Sequence, residues 1–347
     1  MEWTLPSRST HYRELAVERQ SQLTKPTGAL GQLESIAIWL ADIQQSPEPT
    51  AEHAAAIVFA SDHPVSMLGV SAYPREVTPM MVINLAVGGA AASVLARVNG
   101  IPLYVVDVGA EPYPAPSTGE HIYWTKTELG GTVGDLVNSD AMDDVALAAA
   151  LAAGARAVDA LPANTQIVIL GEMGIGNTTP ASAIAARLLK LSANEMVGPG
   201  TGVSGDALAA KTAIVKAALE RSDCQTPMEV LRCLGGREIA ALVGAIGRAA
   251  ERGMALLIDG FIVSSAALVA VQQQSDLRDF MCFGHRSAEP GHQQILESLA
   301  ARPIVDAGLR LGEASGALTA LPLIRAATAL HNQMATFAEA AVPDRDH

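Results

Sequence analysis

The chain has 347 residues, 49% of them hydrophobic but only 4% aromatic, and a formal net charge of −13. Such a length holds one large α/β domain with a smaller attachment or two ordinary domains, and the Ala/Leu/Val/Ile-rich composition suits a helix-rich enzyme around a buried sheet. The acidic balance disfavours nucleic acid and anionic membranes as partners, while leaving room for a local phosphate pocket made of backbone dipoles and a few basic side chains.

The N-terminal stretch "MEWTLPSRSTHYREL" has neither the basic start nor the apolar core of a secretion signal, so a cytoplasmic protein is expected. Two segments with helical spacing follow, "HYRELAVERQSQL" and "LGQLESIAIWLADIQ", and then "SPEPTAEH" reads as a linker. Beyond it, "HAAAIVFAS", "IPLYVVDVG", "TQIVIL", "MALLID" and "DFMCFG" are short, apolar and β-rich, and most lead into an Ala/Leu helical pattern, including an alanine-rich helix around 146–156. This alternation predicts an α/β fold, a doubly wound parallel sheet with helices on both faces and a ligand site beyond the carboxyl ends of the strands. The most membrane-like run, "MALLIDGFIVSSAALVAV", carries Asp259 in its middle and reads as a buried strand and helix. At the C-terminus "LPLIRAATALHNQMATFAEAAV" places Leu323, Ala327, Leu330, Met334 and Phe337 on one helix face. The terminal helices are expected to pack together, giving a small helical domain from residues 1–50 and 319–347 and a catalytic α/β domain over 51–318.

The strand "TQIVIL" runs into "GEMGIGNTTP" and then "ASAIAARLLK", a strand-to-helix turn rich in glycine. Glycine admits backbone angles closed to other residues and lets a ligand approach the main chain. Thr178 or Thr179 can cap the helix, Pro180 suits its first position, and the free N–H groups with the positive end of the dipole suit phosphate or carboxylate. The Walker pattern is missing, because Asn177 follows Gly176, and the dinucleotide fingerprint is missing too, because Thr179 stands where its third glycine belongs. The loop "GPGTG" at 198–202 offers a second set of backbone donors, and Lys211 can add a point charge or be a solvated helix residue.

Glu313, in "GLRLGEASGALTALPL", sits in a glycine-rich, apolar setting that raises a carboxyl pKa and makes a better base near neutral pH, or it is an acid at a helix amino end; Glu172 has the same two readings. Asp62 and His63 can form an acid–imidazole pair, and "GHRSAEPGH" carries His285, Ser287, Glu289 and His292, in a spacing that matches no established zinc pattern. No metal is expected. Cys224, Cys233 and Cys282 are scattered and read as reduced packing residues.

The motifs "TKPTGALGQLE", "SDHPV", "GVSAYPREVT", "GGAAASVLAR", "GEMGIGNTT", "GPGTG", "GGREIAAL", "DGFI", "FGHRSAEPGH" and "LRLGEASGAL" occur in this order, and together they resemble the nicotinate-nucleotide–dimethylbenzimidazole phosphoribosyltransferases over almost the whole chain. The resemblance implies a homodimer, a small helical domain made by both chain ends, and transfer of the 5-phosphoribosyl group from nicotinate mononucleotide to 5,6-dimethylbenzimidazole without a cofactor. It implies Glu313 as catalytic base and Glu172 as second acid. It puts phosphate and ribose contacts on Gly174, Ile175, Gly176, Asn177, Thr178, Thr179, Gly200, Thr201, Gly202 and Lys211, and the base and nicotinate pocket at Asp62, His63, Tyr73, Met80, Ser287 and Leu311. Two departures from the family pattern stand out: Pro64 where glycine is usual, and Met80 near a position commonly polar. They point to a shifted preference among acceptor bases. The bland alternative is an inactive homologue that binds a nucleotide or base as the partner of an active subunit.

Overall fold

A computed structural model of the chain describes residues 2–343. Helices α1 (His11–Gln22) and α2 (Gln32–Gln44) lead to strand β1 (Ala54–Ser61), followed by α3 (Val77–Val87) and α4 (Ala91–Asn99). Then come β2 (Leu103–Gly109), β3 (Ile122–Lys126), α5 (Asp144–Asp159), β4 (Ile167–Met173) and α6 (Thr178–Leu189). The chain continues through α7 (Ala193–Met196), α8 (Gly205–Arg221), α9 (Pro227–Leu234), α10 (Arg237–Glu251), β5 (Ala255–Ile258) and α11 (Phe261–Gln273). It closes with β6 (Met281–Phe283), α12 (Pro290–Ser298), α13 (Ser315–Gln333) and α14 (Phe337–Ala340).

The six strands form one sheet in the order β3-β2-β1-β4-β5-β6, every neighbouring pair parallel. Every residue of β1 and of β4 is buried, so both faces of the central pair are covered by helices, as near-continuous aliphatic runs require. The chain runs outward through β2 and β3 and returns to β4, so the strand order reverses between β1 and β4. That reversal opens the crevice in which an α/β sheet binds its ligand.

Five strands lie where the sequence places them, and "MALLIDGFIVSSAALVAV" is a buried strand followed by a buried helix. The sixth, β3, escapes periodicity because "IYWTK" is a short edge strand with a mostly wet surface, pinned by Tyr123 stacked on Tyr104 at 4.8 Å. The two ends of the chain meet. Leu23 bridges Thr336, and Arg19 donates to the carbonyl of His331 at 2.6 Å. Gln20 and His331 pair at 2.9 Å. Helix α13 runs unbroken through 318–319, and its buried face is Leu321, Ile324, Ala327 and His331; of the expected face Ala327 is buried, but Leu323 is exposed and the helix stops before Met334.

Candidate active site

Strand β4 carries its own chemistry at its carboxyl end. Glu172 is the sixth residue of the strand, paired in register with Phe59 of β1, rather than part of the following turn. Its side chain is buried and accepts a hydrogen bond from Asn177 Nδ2. Burial, opposed by that hydrogen bond and reinforced by the charges of Asp259, Glu238 and Glu313, pushes its pKa up to about 8.

The turn at 174–179 is held from two sides. Gly174 lies so close to β1 that a Cβ there would sit 2.6 Å from the Ser61 carbonyl, and the Ile175 amide donates to Thr78 Oγ1 at 3.1 Å. Neither threonine caps α6. Asn177 holds the cap position, but its side chain is committed to Glu172, and Pro180 is the third helical residue. Thr178 instead accepts from Lys211 Nζ at 2.7 Å, and Thr179 Oγ1 has no partner among the described residues.

The amino end of α6 is thus left open towards the "GPGTG" loop. Lys211, on α8, is fully buried, so the solvated reading fails; its ammonium also donates to the Gly198 carbonyl at 3.1 Å. Burial, against the pull of Glu289, brings its pKa down to about 8. Gly200 has φ 52°, and a Cβ there would lie 2.9 Å from Lys211 Nζ. Thr201 accepts from the Ala72 amide at 3.1 Å and pairs with Ser71 Oγ at 3.0 Å, while Arg310 donates to the Gly200 carbonyl at 3.3 Å. Four segments distant in sequence therefore converge on one set of amides and one buried ammonium, an arrangement that suits a phosphate.

Glu313 is held at the same strand end as Glu172. Gly312, Glu313 and Ala314 have φ of 86°, 60° and 63°, three left-handed residues in a row, of which two carry side chains. Such a turn survives only where surroundings dictate it. Here the Glu313 amide donates to the Glu172 carbonyl at 3.2 Å, and Gly171 is needed because a Cβ there would collide with the Ala314 amide. Both acids are consequently fixed to the same strand end. Burial raises the Glu313 pKa and Asp259 adds to the rise, while the Ala92 amide at the start of α4 opposes it.

The expected Asp62–His63 pair does not form. His63 Nε2 meets Glu238 Oε1 at 2.6 Å, wholly inside the protein, whereas Asp62 accepts from the Glu111 amide at 2.6 Å. Successive residues leaving a strand point to opposite sides, and Glu238, on α10, lies inside the motif "GGREIAAL" although its pairing with His63 could not be read from the sequence. Pro64 fits without strain as the first residue of a 3-10 turn, Pro64–Leu68. Ser287 is buried, its amide donating to His292 Nδ1 at 2.9 Å. Burial, with His285 and Arg286 nearby, lowers the His292 pKa to about 3. Tyr73, Met80 and Leu311 are exposed apolar side chains beside this machinery: Met80 two residues after Thr78, Leu311 two before Glu313. The sequence reading also passed over Asp259 as a site residue, although its place immediately after β5, inside "DGFI", was the available signal. A separate open cavity of about 960 Å³ lies at the carboxyl end of α6 against α8, away from all these groups.

A family profile described as "Phosphoribosyltransferase" matches residues 5–342. A nicotinate-nucleotide–dimethylbenzimidazole phosphoribosyltransferase of a Bradyrhizobium species is 49% identical over 98% of this chain and 97% of its own length. One of the same name from Pseudomonas syringae is 47% identical over 99% and 98%. The crystal structure of CobT from Thermus thermophilus superposes with a TM-score of 0.89 at 40% identity, covering 96% of this chain and 99% of that one. Matched by these relatives over almost its whole length, the chain belongs to the nicotinate-nucleotide–dimethylbenzimidazole phosphoribosyltransferase family.

Proposed function

We propose that the protein transfers the 5-phosphoribosyl group of nicotinate mononucleotide to 5,6-dimethylbenzimidazole or a related base, giving α-ribazole 5′-phosphate and nicotinate for cobalamin synthesis. The observation that carries this reading is the pair of buried acids, Glu172 and Glu313, tied to one strand end beside an amide-lined anion cradle. The donor's pyridinium leaves with the electron pair of its bond to the anomeric carbon, so it needs no proton from an acid, unlike a glycosidic oxygen. A benzimidazole nitrogen forms the new bond from the opposite face, which inverts the centre from β to α. The other ring nitrogen then gives its proton to Glu313, a carboxylate made more basic by burial. Glu172, which keeps its proton up to about pH 8, faces the sugar and donates a hydrogen bond to a ribose hydroxyl. The turn at 174–179, the 198–202 loop and Lys211 hold the phosphate, and Asp62, His63 and Ser287 border the rings.

The exposed Tyr73, Met80 and Leu311 are the apolar side chains offered to the acceptor, and a methionine in place of a polar side chain favours bases recognised by shape over hydrogen bonding. The three free thiols suit the reducing cytoplasm, where we place the enzyme. Nicotinate release from the mononucleotide, followed with a panel of benzimidazoles, purines and phenolics, tests the reading. Turnover that falls by roughly a hundredfold or more in Glu313→Ala supports the base assignment. An unchanged rate removes it, and dimethylbenzimidazole as the clear best acceptor removes the shifted preference.

A further inference from the structure

Helix α13 begins two residues after Glu313 and lacks a cap of its own. Its cap position is Ala314, left-handed and without a side chain able to accept a hydrogen bond. The first amides of a helix have no intrahelical acceptor and need one from elsewhere. That acceptor is Asp259, the residue immediately after β5: its Oδ1 takes the Ala317 amide at 2.9 Å across 58 positions of sequence. Asp259 is 1% exposed and its second oxygen has no partner among the described residues. Behind it, His285 Nε2 lies 3.6 Å from Oδ1, and the imidazole lies so close under Gly316 that a Cβ there would collide with it. The amino end of α13 is therefore clamped between a strand-borne carboxylate and an imidazole, and the left-handed turn at 312–314 is its direct continuation.

We propose that Asp259 is a positioning residue for Glu313: by capping α13 it holds the strained turn that aims the base. The proposal rests on the phosphoribosyl-transfer reading given above. Asp259 does not reach the substrate side and is not itself catalytic. The charged and titratable groups around it are His285 following β6, Glu172 on β4, Glu313 on the turn before α13, and the Glu238–His63 pair linking α10 to the end of β1. Loss of the Asp259 charge removes one repulsion from Glu172 and Glu313, so both ionise at lower pH.

The test compares Asp259→Asn, which keeps an acceptor oxygen and loses the charge, with Asp259→Ala, which loses both. Asp259→Ala is expected to lower kcat on the order of ten- to a hundredfold, with KM for nicotinate mononucleotide moving less than about threefold, because the base is misaimed while the phosphate cradle is intact. Asp259→Asn is expected to recover most of that kcat and to shift the acidic limb of the kcat/KM profile to lower pH. Amide hydrogen exchange at Gly316 and Ala317 is expected to quicken in Asp259→Ala and much less in Asp259→Asn. Wild-type kcat in Asp259→Ala overturns the proposal, and so does an Asp259→Asn enzyme as impaired as Asp259→Ala with an unmoved pH profile. If the alanine variant fails to fold, the profile and exchange of the asparagine variant decide. If wild-type protein turns over no base, the functional reading falls, and the exchange data alone still decide the cap.

Discussion

Glu172 illustrates what a single buried acid does to the whole molecule's response to pH. Its ordinary carboxyl value is 4.5, and inside the fold it is about 8. Between those values the unfolded chain releases a proton that the folded chain keeps, so the stability tied to this group is complete below pH 4.5 and is lost as the pH rises through about 8. Glu172→Gln keeps a carbonyl for Asn177 and cannot ionise. It should therefore melt a few degrees above wild type at pH 8 with little difference at pH 4.5, as read by calorimetry. Equal differences at the two pH values would mean that the carboxyl titrates normally. Residue identity at this level was legible wherever a motif concentrated it: the turn, the loop and both acids were visible in the sequence. Pairings were not. His63 finds Glu238 and not the neighbouring Asp62, and Lys211 turns inward to Thr178, because each partner is set by the packing of remote helices.

At the scale of elements, close approach is what the sequence encodes least openly. Helices α5 and α10 cross with backbones in near contact: a Cβ on Gly154 would collide with the Ala241 carbonyl, and one on Gly244 with the Leu151 carbonyl. Neither glycine has a left-handed φ, so the requirement is space and not conformation. Gly244→Val forces the pair apart over β1, β2 and β4, and should cost about 3 kcal/mol or more, visible as a lowered midpoint in urea. A midpoint within experimental error of wild type would show that the helices slide freely. The sheet's central strands were legible because burial on both faces leaves a continuous apolar run. The edge strand β3 was not, since a strand with one wet side and five residues carries almost no periodic signal. The loop 130–142 is ordered by polar pins: Asp143 accepts from the Thr132 amide at 2.9 Å, and Asp140 accepts from Arg221 and Arg232.

For the whole molecule, the surface of α3 and α4 is the place to look for self-association. Val87, Val94 and Val98 are exposed there, with Val94 and Val98 one helical turn apart on the same face. A homodimer closing over this surface follows the expectation for soluble oligomers, and light scattering should then give twice 35.9 kDa. Val98→Asp should shift that mass towards the single chain; a wild-type mass of one chain would end the idea. The meeting of the two chain ends adds a constraint of another kind. Helix α13 has 19 residues, about 28 Å at the usual rise, and it joins the turn holding Glu313 to the place where Arg19 and Gln20 grip the far end. Glu313 therefore precedes one tip of a packed helix whose other tip is tied to the first helix of the chain. A carrier protein fused behind His347 would load the tied end of that helix, so affinity tags and fusion partners belong at the other terminus if turnover is to be measured faithfully.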